Sequence, residues 1–296
     1  MKRHYKGATY KLVTAMVIFG TIGLFVRHIS LPSSVIALFR GVGGTLFLLA
    51  ANGRKKDMFS GDLKKNLHWL LLSGVALGFN WILLFESYRY TSVAVGTLCY
   101  YLAPILVILV SPVVLKEKLT AKKVLCVAAA LLGMVCLSGV LQTGMPQGAE
   151  MKGILFGLAA AVFYACIVMM NKQINGISGT EKTVLQLGIS ALVLLPYCLL
   201  TVDGTAVSFD GKTVLLLAVV AIVHTGLAYA LYFDALGKIP GQTAAILSYI
   251  DPVVAVLASV LLLREPMLPA EAAGAVLILG AAVVSEAQLP RKEHKK

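Results

Sequence analysis

Charge is the scarcest property of this chain. Asp, Glu, Lys and Arg make up only 14% of its 296 residues, where soluble domains carry about 25%. A water-soluble fold of this length could not cover its surface with so few, so the composition excludes one. Paired cysteines are also missing. Cys99, Cys126, Cys136, Cys166 and Cys198 show no Cys-x-x-Cys spacing, and each falls in an apolar run. That excludes a disulfide scaffold and a thiolate metal site, and leaves small packing residues. No Gly-x-x-x-x-Gly-Lys-Ser/Thr occurs, so a phosphate-binding loop for ATP is excluded. There is no His-Glu-x-x-His and no aspartate-rich pair motif, and no nucleophile stands beside a base. An enzyme is therefore not expected, and no catalytic residue, metal or cofactor is assigned.

What the chain does have is apolar length. Hydrophobic residues are 58% of the total, and a helix needs about 20 of them to cross a bilayer. Ten such stretches are expected, at 9–27, 32–51, 66–89, 93–115, 121–141, 151–173, 180–201, 212–236, 241–263 and 269–288. Turn chemistry separates several of them: Leu31-Pro32-Ser33-Ser34, Asn52-Gly53, Met145-Pro146-Gln147-Gly148 and Pro240-Gly241. The first stretch follows a basic segment but reaches Arg27 with no clear small-residue cleavage site, so it reads as a retained helix.

The net charge of +12 takes its meaning from this layout. The basic residues sit between apolar runs, which argues against nucleic-acid binding. With ten spans, twenty of the 26 Lys and Arg fall on one side, five on the other, and Arg40 within a span. The positive-inside rule makes the crowded side cytoplasmic, with both termini on it.

The chain also repeats itself. A shift of 148 positions places Phe85, Glu86, Tyr101, Pro104, Leu109, Ser111, Leu115, Lys116 and Glu117 on Phe233, Asp234, Tyr249, Pro252, Leu257, Ser259, Leu263, Arg264 and Glu265, without a gap. The expected fold is thus an all-α membrane protein of ten transmembrane helices, built as two five-helix repeats at 1–145 and 146–296. Because five is odd, the second repeat is inverted relative to the first, with the pseudo-two-fold axis in the membrane plane. An inverted repeat favours a carrier over a channel, which more often shows a repeated selectivity element.

The segments Tyr100-Tyr101-Leu102-Ala103-Pro104 through Lys116-Glu117, and Ser248-Tyr249-Ile250-Asp251-Pro252 through Arg264-Glu265, resemble the drug/metabolite transporter superfamily. The likeness is to its EamA-like branch and covers essentially the whole chain. The resemblance implies a multi-pass carrier of the bacterial inner (plasma) membrane, often an exporter, of amino acids or similar small metabolites. It implies no catalytic set. Glu86 and Asp251 depart from the pattern by placing acids where apolar residues would do.

Polar residues far from water narrow the site. Arg40, Asn80, His224 and Asp251 each lie about eight residues or more from either end of their spans. A charge at that depth costs roughly 2.5–3.5 kcal/mol, so each needs a partner or a wet cavity. Arg40 is either paired structurally, with Asp251, Glu86 or backbone carbonyls, or it lines a cavity and meets a substrate carboxylate. Asp251 is either a salt-bridge partner or a binding or proton-coupling group. Pro104 and Pro252 lack an N–H, so kinks are expected there, freeing the carbonyls of Tyr100 and Ser248.

Glu86 is either an ion-pair partner of Arg89 or a second coupling candidate, and Asp234 pairs with Lys238. The candidate binding set is Arg40, Asn80, Trp81, Tyr100, Tyr101, Tyr164, His224, Tyr229, Tyr249 and Asp251. Tyr232 belongs to the same aromatic cluster. Lys116-Glu117 and Arg264-Glu265 read as end caps, and Gly20-Thr21-Ile22-Gly23 and Gly153-Ile154-Leu155-Phe156-Gly157 as close-packing motifs. A zwitterion suits Arg40 plus Asp251. A cationic drug or amine, using the acid and the aromatics alone, is the alternative. The partners implied are a small-molecule substrate, the lipid bilayer and protons as candidate coupling ion.

Overall fold

A backbone inside hydrocarbon must satisfy its own hydrogen bonds, and helices do so within one segment. In the computed structural model the described residues are 2–26, 28–52, 62–91, 93–137, 150–203, 209–264 and 268–286, and among them there is no strand. Arg27, Gly53, Arg54, Lys55, Lys56, Glu265, the Met145-Pro146-Gln147-Gly148 joint and the basic C-terminal residues lie outside the described residues. The helices are α1 (Lys2–Gly20), α2 (Ile22–Val26), α3 (Ser33–Asn52), α4 (Leu63–Tyr90), α5 (Val93–Tyr100), α6 (Ala103–Val114), α7 (Ala121–Leu137), α8 (Glu150–Gln173), α9 (Gly179–Thr201), α10 (Gly211–Ala221), α11 (Ala228–Leu236), α12 (Gly241–Ser248), α13 (Ile250–Leu263) and α14 (Pro269–Glu286). A π-turn, Ile222–Leu227, joins α10 to α11.

Seven helical stretches among the described residues are long and apolar enough to cross a membrane: Lys6–Val26, Ser33–Asn52, Leu63–Tyr90, Met151–Gln173, Gly179–Thr201, Gly211–Leu236 and Gly241–Leu262. Ala103–Val114 and Ala272–Val284 are apolar but shorter. The bundle wears its apolar side chains outward. Leu125, Leu200 and Val276 are each at least 70% exposed, which water would penalise and lipid does not. Inside, polar side chains join helices. The Asn171 and Gln186 amides hydrogen-bond each other between α8 and α9, at 2.9 and 3.2 Å. Gln242 on α12 donates to Ser111 on α6 at 2.6 Å, and Ser87 on α4 to the Gly153 carbonyl on α8 at 2.7 Å.

Pro104 and Pro252, where the sequence leads one to expect kinks, stand at interruptions of the helical pattern. The stretch 93–114 stops at Tyr100 and restarts at Ala103, with Pro104 in the first turn of α6, where a missing N–H costs nothing. The stretch 241–263 stops at Ser248 and restarts at Ile250, with Asp251 and Pro252 in the first turn of α13. The carbonyl that takes an outside donor is that of Tyr101, from the Tyr249 hydroxyl at 2.9 Å, rather than that of Tyr100. A further break, at Thr21, divides the expected first span. The Thr21 hydroxyl and amide both donate to the Ile18 carbonyl, at 2.8 and 3.1 Å, which tightens the turn and ends α1.

The 148-residue shift recurs in the backbone. The breaks at Tyr101 and Tyr249 are 148 apart. So are Lys116 (φ 54°) and Arg264 (φ 56°), the non-glycine residues of positive φ among the described residues. Past Lys116, the Glu117 carboxylate accepts from the amides of Gly241 (2.6 Å) and Gln242 (3.1 Å). It thereby caps α12, so the expected end cap serves a distant helix.

Gly20 sets the approach of α1 to α13. A Cβ there would lie 2.5 Å from the Asp251 carbonyl oxygen and 2.6 Å from Val254 Cβ, whereas one at Gly23 would meet nothing within 4 Å. Gly20→Val should therefore destabilise the bundle by about 1–3 kcal/mol through overpacking, while Gly23→Val should be near neutral. Thermal unfolding of the two variants in detergent checks this; equal midpoints would mean that α1 and α13 do not touch at Gly20.

Candidate functional site

The helix breaks flank a cavity of about 250 Å³. Its wall takes Phe19 from α1, Arg40 from α3, Trp81, Phe85 and Tyr88 from α4, and Thr97 and Tyr100 from α5. Tyr101 and Pro104 come from the first break, Tyr164 from α8, Tyr229 and Tyr232 from α11, and Ser248 and Asp251 from the second break. Of the residues proposed from sequence, the cavity thus gathers Arg40, Trp81, Tyr100, Tyr101, Tyr164, Tyr229, Asp251 and Pro104.

Arg40 is held from two directions. Its Nε donates to Thr225 Oγ1 at 3.0 Å, and its guanidinium carbon lies 5.0 Å from the centre of the Trp81 ring, within cation–π range. Thr225 is itself fixed, donating to the Val220 carbonyl at 3.0 Å across the π-turn. Glycines bring α3 this close. A Cβ on Gly43 would stand 2.7 Å from that of Ala221, and one on Gly44 would stand 3.2 Å from the Gly226 amide. The ion pair with Asp251 or Glu86 considered from sequence does not form; among the described residues Arg40 pairs with no carboxylate.

Asp251 gains its place from the helix break. It lies in the first turn of α13, where unsatisfied backbone N–H groups favour an anion. The Tyr101 side chain lies beside it. Around these charges the aromatic rings meet edge to face. Tyr100 packs on Tyr101 and Tyr164, with ring centres 5.8 and 5.6 Å apart, and Tyr229 on Phe19 and Trp81, at 4.9 and 6.1 Å. The Tyr164 and Tyr232 hydroxyls are 2.5 Å apart, and those of Tyr88 and Thr97 are 3.1 Å apart.

Other proposed residues lie off the wall. Asn80 is buried and donates to the Ala160 carbonyl at 2.7 Å, tying α4 to α8. His224 Nε2 lies 3.1 Å from Thr21 Oγ1 and its ring packs on Phe25, so it braces the π-turn against the Thr21 break. Tyr249 is fully buried and spends its hydroxyl on the Tyr101 carbonyl. Pro252 is buried behind Asp251. Glu86 accepts from Arg89 at 2.8 Å and from the Tyr197 hydroxyl. Its repeat mate Asp234 holds Lys238 at 2.5 Å and also Lys11 at 2.6 Å.

Sequence reasoning missed Thr225, Tyr88, Thr97, Ser248 and Phe19. Tyr88 was findable, since Trp81, Leu84, Phe85 and Tyr88 follow the i, i+3, i+4, i+7 spacing of one helix face. Thr225 was not, because the π-turn that aims it has no sequence signature.

This architecture has known counterparts. The profile of the EamA-like transporter family matches residues 8–139 and 151–286. The chain belongs to the EamA-like transporter family. Among its relatives is the uncharacterized transporter YxxF of Bacillus subtilis (strain 168), 33% identical over 253 residues, covering 84% of this chain and 79% of that one. A "Probable amino-acid metabolite efflux pump" of Salmonella typhimurium is 32% identical over 175 residues, 56% of this chain and 58% of that protein. One of the same name from Escherichia coli (strain K12) is 34% identical over 173 residues, 55% of this chain and 57% of that protein. A solved crystal structure superposes with a TM-score of 0.82 at 21% identity, covering 94% of this chain and 97% of the other. That likeness speaks to fold alone.

The wall assignment predicts side-chain accessibility in this EamA-like bundle. With the five native cysteines replaced by alanine, Tyr88→Cys and Thr97→Cys should react with a water-soluble thiol reagent. Asn80→Cys and Tyr249→Cys should stay unlabelled until the protein is denatured. Labelling followed by mass spectrometry checks this, and fast modification at Asn80→Cys would refute the wall as drawn.

Proposed function

We propose that this EamA-like protein is a secondary transporter that exports amino acids or related small metabolites across the bacterial inner membrane by alternating access. The observation that carries this reading is one cavity holding Arg40 and Asp251 unpaired with each other, walled by tyrosines, where two helices break. Binding between broken helices is how many secondary carriers expose an ion or a substrate to backbone dipoles at depth. The efflux-pump name of the two enteric relatives points the same way. In this reading the chain has ten spans in two inverted five-helix repeats, divided at residue 145, with both termini cytoplasmic.

The cytoplasmic end of the proposed arrangement is shut. Lys11 meets Asp234, Lys172 donates to the Ile239 carbonyl, and Glu117 caps α12, each bond joining segments far apart in the chain. The cavity wall instead includes Tyr88, in the last turn of α4, and Thr97 on α5, toward the opposite end of the proposed arrangement. On the proposed orientation we read this state as outward-facing, with export requiring the Glu117 cap to open. A repeat-swapped state would exchange the two tyrosines: Tyr101 would bond the Tyr249 carbonyl, release Asp251, and turn Tyr249 toward the cavity. Asp251, on the cavity wall, is a better proton-coupling group than Glu86, which is engaged by Arg89 and Tyr197. Asp251 ringed by tyrosines also supports the second reading, export of cationic amines or drugs.

Flux into proteoliposomes is the test. Radiolabelled amino acids should be carried, with a proton-gradient dependence that Asp251→Asn removes. Amine flux without amino-acid flux would favour the second reading, and no flux of either class would sink both. Glu117→Gln should weaken the charge-assisted cap and favour the cytoplasm-open state. In the cysteine-free background, labelling of Ser248→Cys from the cytoplasmic side should then rise several-fold, whereas an unchanged rate would show that Glu117 is no gate.

A further inference from the structure

A second hollow lies between α7 and α14, a groove of about 340 Å³ that shares no wall residue with the central cavity. Its floor is made of small side chains, with Cys126 and Ala281 buried and Ala129 and Gly280 beside them. Its rims are branched, and Leu125 and Val276 stand out on the exposed apolar face. The two helices meet elsewhere. A Cβ on Gly133 would lie 2.7 Å from the Gly274 carbonyl oxygen, whereas one on Gly280 would meet nothing within 4 Å. On α7 the wall runs from Lys122 to Ala129, about 10 Å along the axis at 1.5 Å per residue. A gap of that form, apolar and elongated, takes a single acyl chain.

The mouth of the groove is cationic. Lys122 is the charged residue of its wall, and lysine carries its ammonium on a stem that reaches toward the interface. Lys116, Lys118, Lys122 and Lys123 fall within eight residues, and the one acid among them, Glu117, is engaged by the amides of Gly241 and Gln242. The repeat does not demand this charge, since the equivalent residues 264–271 hold one Arg and two Glu. We propose that the groove between α7 and α14 is a binding site for an anionic phospholipid, its acyl chain over Gly280 and its headgroup phosphate among Lys118, Lys122 and Lys123. On the proposed orientation this end lies in the cytoplasmic leaflet, where basic clusters beside a span attract anionic headgroups. A second copy of the chain fits less well. Two copies inserted the same way are related by an axis along the membrane normal, which sets residues of equal depth against each other. The lysines of both copies would then crowd together, whereas a phosphate neutralises them.

Native mass spectrometry of the purified protein is the test. The protein is mixed in detergent with equal amounts of dioleoyl phosphatidylglycerol and dioleoyl phosphatidylcholine, and the lipid that stays bound is counted. Wild type should retain the anionic lipid about tenfold or more over the neutral one. Gly280→Leu, which fills the groove, should lose the retained lipid. Joint replacement Lys118→Gln, Lys122→Gln and Lys123→Gln should keep a lipid but bring its selectivity close to one. A phosphatidylglycerol with a photoreactive diazirine in its acyl chain should mark peptides of α7 and α14 in wild type; this needs no variant, so it decides even if a replacement misfolds. Equal retention of the two lipids overturns the proposal, as does labelling confined to other helices, or selectivity that survives loss of the lysines. A dimer in the same spectra that Gly280→Leu dissociates would give the groove to a second copy and overturn it too. None of these readouts depends on flux, so the lipid site and the transporter reading stand or fall separately.

Discussion

A carbonyl freed deep in a bilayer has no water to turn to, and the first helix break meets that constraint with a group from the second. At the first break the Tyr101 carbonyl accepts from the Tyr249 hydroxyl, 148 residues away. Leaving it bare would cost about 1–3 kcal/mol, so neither break is independent of the other. The cavity depends on this bond. Tyr101, Pro104, Ser248 and Asp251 reach the cavity wall because their helices stop and restart. The restart also puts Asp251 in a first helical turn, where backbone N–H groups favour its anion.

Arg40 answers the opposite need. Among the described residues its surroundings supply a hydroxyl and an indole face but no paired carboxylate. For a purely structural arginine that is an expensive arrangement, because a neighbouring acid would relieve the cost of depth. Asp251 stands on the same wall and does not pair with it. Keeping the two apart preserves a polar site at the expense of stability. The glycines at 43 and 44 hold α3 against the π-turn, so Thr225 meets Arg40 at a set distance.

Much of this was legible in the sequence, and the failures share a cause. Apolar run length located the helices closely: 93–115 became Val93–Tyr100 and Ala103–Val114, and 180–201 became Gly179–Thr201. Depth within a run flagged Arg40 and Asp251, because depth depends on position along one helix. Facing does not, since it depends on what lies alongside. Asn80, His224 and Tyr249 are as deep as the cavity residues but turn their polar atoms to Ala160, Thr21 and Tyr101 on neighbouring segments. Thr225 was invisible because a π-turn advances the register without any special residue. The two prolines were read as disruptions, and each stands in the first turn of the helix that restarts after a short interruption, where its missing N–H costs nothing.

The repeat gives the last step its force, because sequence-related residues share chemistry but not always surroundings. Glu86 and Asp234 keep the symmetry: each holds a basic residue three or four positions further along the chain, Arg89 and Lys238. Lys116 and Arg264 keep it too, in backbone φ. Tyr101 and Tyr249 break it. Tyr249 is buried with its hydroxyl on its mate's carbonyl, while Tyr101 faces the cavity beside Asp251. Two positions with equivalent backbones and the same residue type have equal claim to either environment. What separates them here is the conformation of the bundle. In the proposed alternating-access reading, a chain that exchanged the two environments would use the same cavity from the other end, and the unequal tyrosines would mark where its halves move.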